Sequence, residues 1–152
     1  MLRMSKMTDY GTVVMTYLAR EADRVHNAQE VAANIHVPPT TVSKILKVLA
    51  KGNLLTPQRG AKGGYMLARH PARITVADII DAMEGRPVGL TECSSSPGLC
   101  LQESSCSVRG NWQRINDAVR GALEGVTLEE MANPVHRVDV SGLRSAARQA
   151  AA

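Results

Sequence analysis

Apolar side chains recur at intervals of three and four residues in the first third of the chain, the spacing that places them on one face of a helix. The first such stretch predicts a helix over about residues 7–21, and a second helix begins near Asn27, which can cap it. The Pro38-Pro39 pair suits the first turn of a third helix, which we expect to end at a left-handed Gly52. The apolar stripe of the first helix consists of Tyr10, Val13, Val14, Tyr17 and Leu18.

Two short strand candidates, Leu54–Pro57 and Tyr65–Ala68, follow the third helix. The loop between them contains three glycines, which permit an exposed hairpin with Arg59 and Lys62 near its tip. Two helices, a turn, a third helix and a basic hairpin form the pattern of a winged helix-turn-helix. A fourth helix is expected to begin after Thr75.

The second half of the chain contains a loop-like segment followed by a long predicted helix. Residues 86–107 have the composition of a loop, and a long helix is predicted over about 108–123. Its apolar positions alternate steps of four and three, as in a coiled-coil seam. We interpret this seam as a homodimer interface, and the alternative is packing against the protomer's own core. The interface candidates are Val108, Trp112, Ile115 and Val119.

The net charge of +4 is distributed unevenly. Residues 31–77 contain seven lysines and arginines and no acidic residue, whereas residues 78–131 contain four basic and nine acidic residues. A long stretch without a carboxylate favours a polyanionic partner over a merely solvated face. The third helix and the hairpin therefore form a candidate surface for double-stranded DNA, with residues that contact bases or phosphates. The candidates are Thr40, Thr41, Ser43, Lys44, Lys47, Arg59 and Lys62.

All three cysteines of the chain, Cys93, Cys100 and Cys106, lie within the loop-like segment. Their spacing is neither that of a zinc ribbon nor that of a thioredoxin-type redox pair. Three thiolates on one loop can converge on a soft metal or a cluster, which then needs a fourth ligand. The alternatives are zinc binding, direct oxidation of the thiols, or three unligated cysteines.

Other function classes receive little support. The sequence contains neither a phosphate-binding loop of P-loop spacing nor an HExxH motif, and we expect neither an enzyme nor a small-molecule substrate. No apolar run is long enough to span a membrane and no signal peptide is evident, so the expected location is the cytoplasm.

Four features of the sequence together resemble the IscR/NsrR-type winged-helix regulators of bacteria (the Rrf-two superfamily), and in particular the regulators of SUF iron–sulfur assembly operons. The resemblance covers about residues 1–135. It depends on the heptapeptide SKMTDYG from Ser5, the wing sequence Arg59–Leu67, the three-cysteine loop and the tetrapeptide TLEE from Thr127.

The resemblance implies a homodimer that binds a palindromic operator and carries an iron–sulfur cluster on the three cysteines, with [2Fe-2S] preferred to [4Fe-4S]. IscR-like members use a histidine three residues after the third cysteine, where this chain has Arg109, which cannot ligate. NsrR-like members use an aspartate near the start of the first helix, donated by the partner subunit. Asp9 occupies the matching position and is the candidate fourth ligand.

The sequence thus predicts a mainly α-helical fold with a small β-hairpin wing: a winged helix-turn-helix followed by a long dimerisation helix. The expected divisions are a DNA-binding domain over 1–85, a cluster-binding loop over 86–107, the dimerisation helix and a short helix over 108–135, and a disordered tail over 136–152. The expected function is a cluster-sensing regulator of SUF-type genes. The alternatives are a nitric-oxide- or redox-sensing repressor, or a zinc- or thiol-based regulator without a cluster.

Overall fold

The computed structural model describes residues 4–133, so the predicted tail lies outside the described residues. Within this range the fold is mainly α-helical with one antiparallel hairpin, which confirms the predicted fold class. The elements in chain order are α1 (Lys6–Ala19), α2 (Ala28–Ile35), α3 (Pro39–Lys51), β1 (Leu55–Gln58), β2 (Gly64–Leu67), a 3-10 turn (Pro71–Arg73), α4 (Val76–Glu84), α5 (Glu92–Ser95), α6 (Arg109–Glu124) and α7 (Leu128–Ala132).

Side chains at the helix N-termini explain where most of the helices begin. Ser5, Asn27, Thr75 and Thr127 each accept a hydrogen bond from a backbone amide in the first turn of the helix that follows. These bonds satisfy amide groups that have no partner within the helix. At Thr75 and Thr127 an acidic side chain three residues later also accepts a hydrogen bond from the cap amide, which completes a capping box.

The hydrophobic core lies between α1, α2, α3 and α4. The inward stripe of α3, formed by Val42, Ile45, Leu46 and Leu49, is fully buried there. The hairpin pairs Leu55 with Leu67 at its base, and both of these side chains belong to the same core. The wing is therefore rooted in the helical body, while its tip projects from it.

The short helix α7 returns to this core after α6. The Leu128 side chain is fully buried, and the Leu128 amide donates to the Ile74 carbonyl at 2.7 Å. The Val76 amide donates to the Val126 carbonyl at 2.9 Å. These two bonds hold the end of α6 beside the start of α4.

Three local expectations were wrong. Gly52 is not left-handed: its φ is −79°, and the left-handed residue is Asn53, with a φ of 59°. Gly52 is small for another reason, because a Cβ there would lie 2.5 Å from the Cβ of Ala82 on α4. Val13, assigned to the buried stripe of α1, is 41% exposed. Residues 86–107 are not entirely loop, since they contain α5.

The long helix agrees with its predicted bounds to within a residue at each end. Among residues 4–133, no helix has both the length and the apolar character that crossing a bilayer requires.

Candidate functional site

The outward face of α3 and the tip of the wing form one candidate site, which we call the cationic surface. Thr40, Lys44 and Lys47 are exposed, opposite the buried stripe of the same helix, while Thr41 and Ser43 are half-buried. Arg59 and Lys62 are exposed at the hairpin tip. The structure thus places all seven predicted DNA-contacting residues on these two elements.

No carboxylate neutralises this surface within the described part of the chain. The lysines of α3 and the two basic residues of the wing form no ion pair with any described acidic side chain. Unpaired cations on a helix that fits the major groove are available to DNA phosphates and base edges.

The start of α3 differs from the starts of the capped helices. Pro38 precedes this helix and provides no side-chain hydrogen bond, and Pro39 occupies its first position. The amides of Thr40 and Thr41 therefore point out of the helix end without a side-chain acceptor. Amides at a helix N-terminus are well suited to bind phosphate, because the helix dipole adds to their attraction.

The hairpin tip is a tight, glycine-rich turn, which allows its main chain to approach a ligand closely. Gly60 has a φ of 112°, which a residue with a side chain rarely adopts, and the Gly63 amide closes the turn by donating to the Gly60 carbonyl at 2.9 Å. The turn leaves Arg59 and Lys62 projecting beyond the body of the fold.

Residues 86–107, the cysteine segment, form the second candidate site. Cys93 lies in α5, and its sulfur is 3.2 Å from the Thr91 hydroxyl. Cys93, Cys100 and Cys106 are all half-buried and unpaired. Among residues 4–133, no three histidine, cysteine, aspartate or glutamate side chains lie close enough together to hold a metal ion. This conformation of a single protomer therefore does not gather the three thiols around one point.

Arg109, three residues after Cys106, has a structural partner. Its guanidinium lies 2.8 Å from the Glu103 carboxylate, which also accepts the Gly98 amide at 2.6 Å. These contacts brace the part of the cysteine segment that carries Cys100 and Cys106.

Asp9, the proposed fourth ligand, lies elsewhere on the protomer. It is exposed in the first turn of α1 and lines a cavity of about 480 Å³ between α1, α2 and α7. The other lining residues include Thr12, Thr16, Asn34 and Met131, and no cysteine is among them. Among residues 4–133 of one protomer, Asp9 and the cysteines therefore form no metal-binding group in this conformation.

Two polar side chains, Asn116 and Asp81, tie the start of the cysteine segment to the helices, and a third, Arg120, binds Asp81. Asn116 is buried on the inner face of α6, and its side-chain oxygen accepts the Leu90 amide at 3.1 Å. Asp81 on α4 accepts the Val88 amide at 2.7 Å and binds Arg120 of α6 at 2.9 Å. The hydrogen bond that Arg120 donates to Asp81 raises the pKa of Arg120 above its usual range. Sequence patterns did not indicate any of these three residues, because each pairs with a residue 26 or more positions away.

The predicted seam of α6 is open to solvent in the single chain. Val108, Trp112 and Ile115 are 49%, 41% and 47% exposed, and Val119 is partly covered. With Ala118 and Ala122, part of this face lines a shallow depression.

Comparison with known proteins agrees with this geometry. The Rrf2 profile, described as an iron-dependent transcriptional regulator, matches residues 4–134. The chain belongs to the Rrf2 family of transcriptional regulators. The relatives of this Rrf2 protein are regulators rather than enzymes. Proteins of this family are DNA-binding transcription regulators with a winged-helix fold.

Two curated relatives represent different members of the family. The HTH-type transcriptional regulator CymR of Bacillus subtilis is 30% identical over 133 residues, which is 87% of this chain and 91% of CymR. The HTH-type transcriptional regulator IscR of Photorhabdus laumondii is 31% identical over 101 residues, which is 66% of this chain and 60% of IscR. This Rrf2 protein thus spans less of IscR than of CymR.

A solved structure of CymR, the global cysteine regulator of B. subtilis, matches the fold with a TM-score of 0.69. The two chains are 32% identical, and the match covers 87% of this Rrf2 protein and 97% of CymR.

Proposed function

We propose that this protein is a homodimeric transcription regulator that binds a palindromic operator and senses iron–sulfur status through its cysteine segment. The observation that carries the DNA-binding part is the cationic surface, which combines exposed cations without acidic partners and an uncapped helix start. In a dimer, two such surfaces would read two half-sites. We assign base and phosphate contacts to Thr40, Thr41, Ser43, Lys44, Lys47, Arg59 and Lys62.

The exposed seam of α6 supports the homodimer. A large aromatic and two branched aliphatic side chains on one helix face are costly to leave in water, and a second copy of the same helix can cover them. Val108, Trp112, Ile115 and Val119 are the proposed contacts. In the proposed dimer, the Asp9 of one subunit would approach the cysteine segment of the other.

The donor chemistry of the cysteine segment fits an iron–sulfur cluster, since three thiolates are the ligands that such clusters prefer. Cys93, Cys100 and Cys106 would hold it, with the partner's Asp9 as the fourth ligand, and we prefer [2Fe-2S] to [4Fe-4S]. A bound cluster supplies a group that oxidants and nitric oxide can modify. We further propose that the regulated genes encode SUF-type assembly proteins.

The contacts of the cysteine segment indicate how its conformation would influence DNA binding. Asp81 and Asn116 attach the segment to α4 and α6, and α4 packs closely on the end of α3 at Gly52 and Ala82. A rearrangement of residues 86–107 would therefore change the support of the DNA-reading helix as well as the dimer helix.

Anaerobic purification tests the cofactor. We expect a coloured protein with iron and sulfide in equal amounts, and we expect Cys100→Ala to lose both the colour and the cluster-dependent change in operator affinity. Ser104→Ala, an exposed substitution in the same segment, is the matched control. A colourless wild type without iron, or an operator affinity that is the same with and without the cluster, would exclude cluster sensing.

A second candidate is thiol-based regulation without a cluster. It is favoured by the absence of any group of three metal-binding side chains within residues 4–133 and by the similarity to CymR, the global cysteine regulator. Metal analysis separates the two: zinc without sulfide, or reversible thiol oxidation in metal-free protein, supports this candidate.

A further inference from the structure

His26 is the point at which the wing meets the helix-turn-helix. The His26 amide donates to the Tyr65 carbonyl at 2.8 Å, and the Tyr65 amide donates to the His26 carbonyl at 2.8 Å. Tyr65 belongs to β2, and His26 directly precedes Asn27, the cap of α2. This pair of bonds therefore fixes the wing relative to α2, which packs against the DNA-reading α3.

The approach at this junction is unusually close. A side chain at Gly64 would collide with the His26 carbonyl, so only glycine permits the paired hydrogen bonds in this geometry. Any displacement of the His26 main chain is thus passed on to β2.

The imidazole of His26 is 1% exposed and lies between two acceptors. Its Nε2 is 3.1 Å from the Glu21 carbonyl oxygen, and a carbonyl can only accept, so Nε2 carries a proton. In the neutral ring, Nδ1 then presents a lone pair toward the Glu30 carboxylate, 3.7 Å away, and has no hydrogen-bond partner among the described residues. Protonation turns Nδ1 into a donor that faces this carboxylate.

The charged groups around the ring keep Glu30 available as an acceptor. Arg24 binds both Glu21 and Glu30, and its hydrogen bond is the main reason that the pKa of Glu30 lies below its usual range. From α1, the Tyr17 hydroxyl donates to Glu30 at 3.3 Å, and the Tyr17 ring meets the imidazole edge to face at 5.6 Å. From β2, Tyr65 contributes its main chain.

We propose that His26 is a positioning residue for DNA binding: protonation at Nδ1 fixes its ring between the Glu21 carbonyl and the Glu30 carboxylate, and so sets the angle between the wing and α3. Operator affinity is then higher when both ring nitrogens of His26 carry a proton than when the ring is neutral. This inference depends on DNA binding by the winged helix and not on the cysteine segment.

The test measures DNA affinity against pH. The probe is a duplex that the wild-type protein selects from a random-sequence pool, and the full-length protein is kept in one fixed cofactor state. Between about pH 8 and pH 6 we expect wild-type affinity to rise about tenfold more than that of His26→Gln, which cannot gain a proton. His70→Gln, which removes an exposed imidazole away from the wing, is the matched control and keeps the wild-type profile.

A second variant and a spectroscopic readout keep the proposal testable if His26→Gln does not fold. Glu30→Gln removes the charged acceptor and is expected to flatten the pH profile in the same way. In the wild type without DNA, the Tyr65 amide resonance is expected to shift over the same pH range as the ring resonances of His26. Parallel affinity profiles for wild type and Glu30→Gln, or a Tyr65 amide that does not follow the ring, would overturn the proposal.

Discussion

The winged helix buries most of its apolar side chains, whereas α6, which follows it, leaves many of its own exposed. Apart from Leu128, every fully buried hydrophobic residue in the described range lies between Val14 and Ile80. By contrast, the one buried residue of α6 is the polar Asn116, and much of its apolar face is exposed. The difference teaches that the core of the winged helix is complete within one chain, whereas the apolar face of α6 is open to solvent, where we propose that a partner subunit covers it.

The largest expected effect is a loss of stability caused by a substitution in the core of the winged helix. Leu46 is fully buried in α3, and Leu46→Ala should lower the free energy of unfolding by about 2–5 kcal/mol, because it removes packed atoms and leaves a cavity. The same change at the fully exposed Leu101 should cost less than about 0.5 kcal/mol. Urea unfolding followed by circular dichroism compares them, and similar losses for the two variants would contradict the contrast.

The next effect targets the proposed partner contact. Ile115→Glu places a charge in the open seam of α6, so we expect a folded monomer whose operator affinity is lower by about 100-fold, since one half-site is bound at a time. Gln113→Glu introduces the same side chain on the opposite side of α6 and should remain dimeric. Sedimentation and fluorescence anisotropy measure the two properties. A dimeric Ile115→Glu protein would show that the seam is not the interface.

The smallest effect concerns the attachment between the two regions. Asn116→Ala leaves the Leu90 amide without its acceptor, which should cost about 1–3 kcal/mol and increase hydrogen exchange at Leu90. Asn111→Ala makes the same change at an exposed position of α6 and should leave the exchange of that amide unchanged. If Leu90 exchanges equally in both variants, Asn116 does not anchor the cysteine segment.

Much of the first region could be predicted because its signals are local. The spacing of Val42, Ile45, Leu46 and Leu49 specifies a buried stripe before any tertiary contact is known, and Asn27 and Thr75 mark helix starts through bonds to their own neighbours. Even there, Gly52 was identified for the wrong reason. Its small size serves the contact with Ala82, a residue 30 positions away, which no local pattern reveals.

The candidate sites depend more on distant contacts, and the sequence reveals less of them. The exposed cations of α3 and the wing follow from helical and hairpin geometry. The pairing of Arg120 with Asp81 and of Asn116 with Leu90 arises only when α4, α6 and the cysteine segment pack together. Convergence of Cys93, Cys100 and Cys106 on one cluster, and the roles assigned to Asp9 and the seam of α6, stay predictions.

The return of α7 to the core has a consequence for how such a protein can change during evolution. Residues 85–125 leave the body at the C-terminal end of α4 and come back beside its N-terminal end, where Val126 and Leu128 bond to Val76 and Ile74. Both ends of this excursion are thus held by the same helix. Insertions, deletions or new ligand-binding residues between those ends leave the spacing of the two anchor points unaltered. Under the proposed function, such a winged helix can acquire a different stimulus by exchanging one continuous stretch of chain together with Asp9, the one proposed ligand outside it.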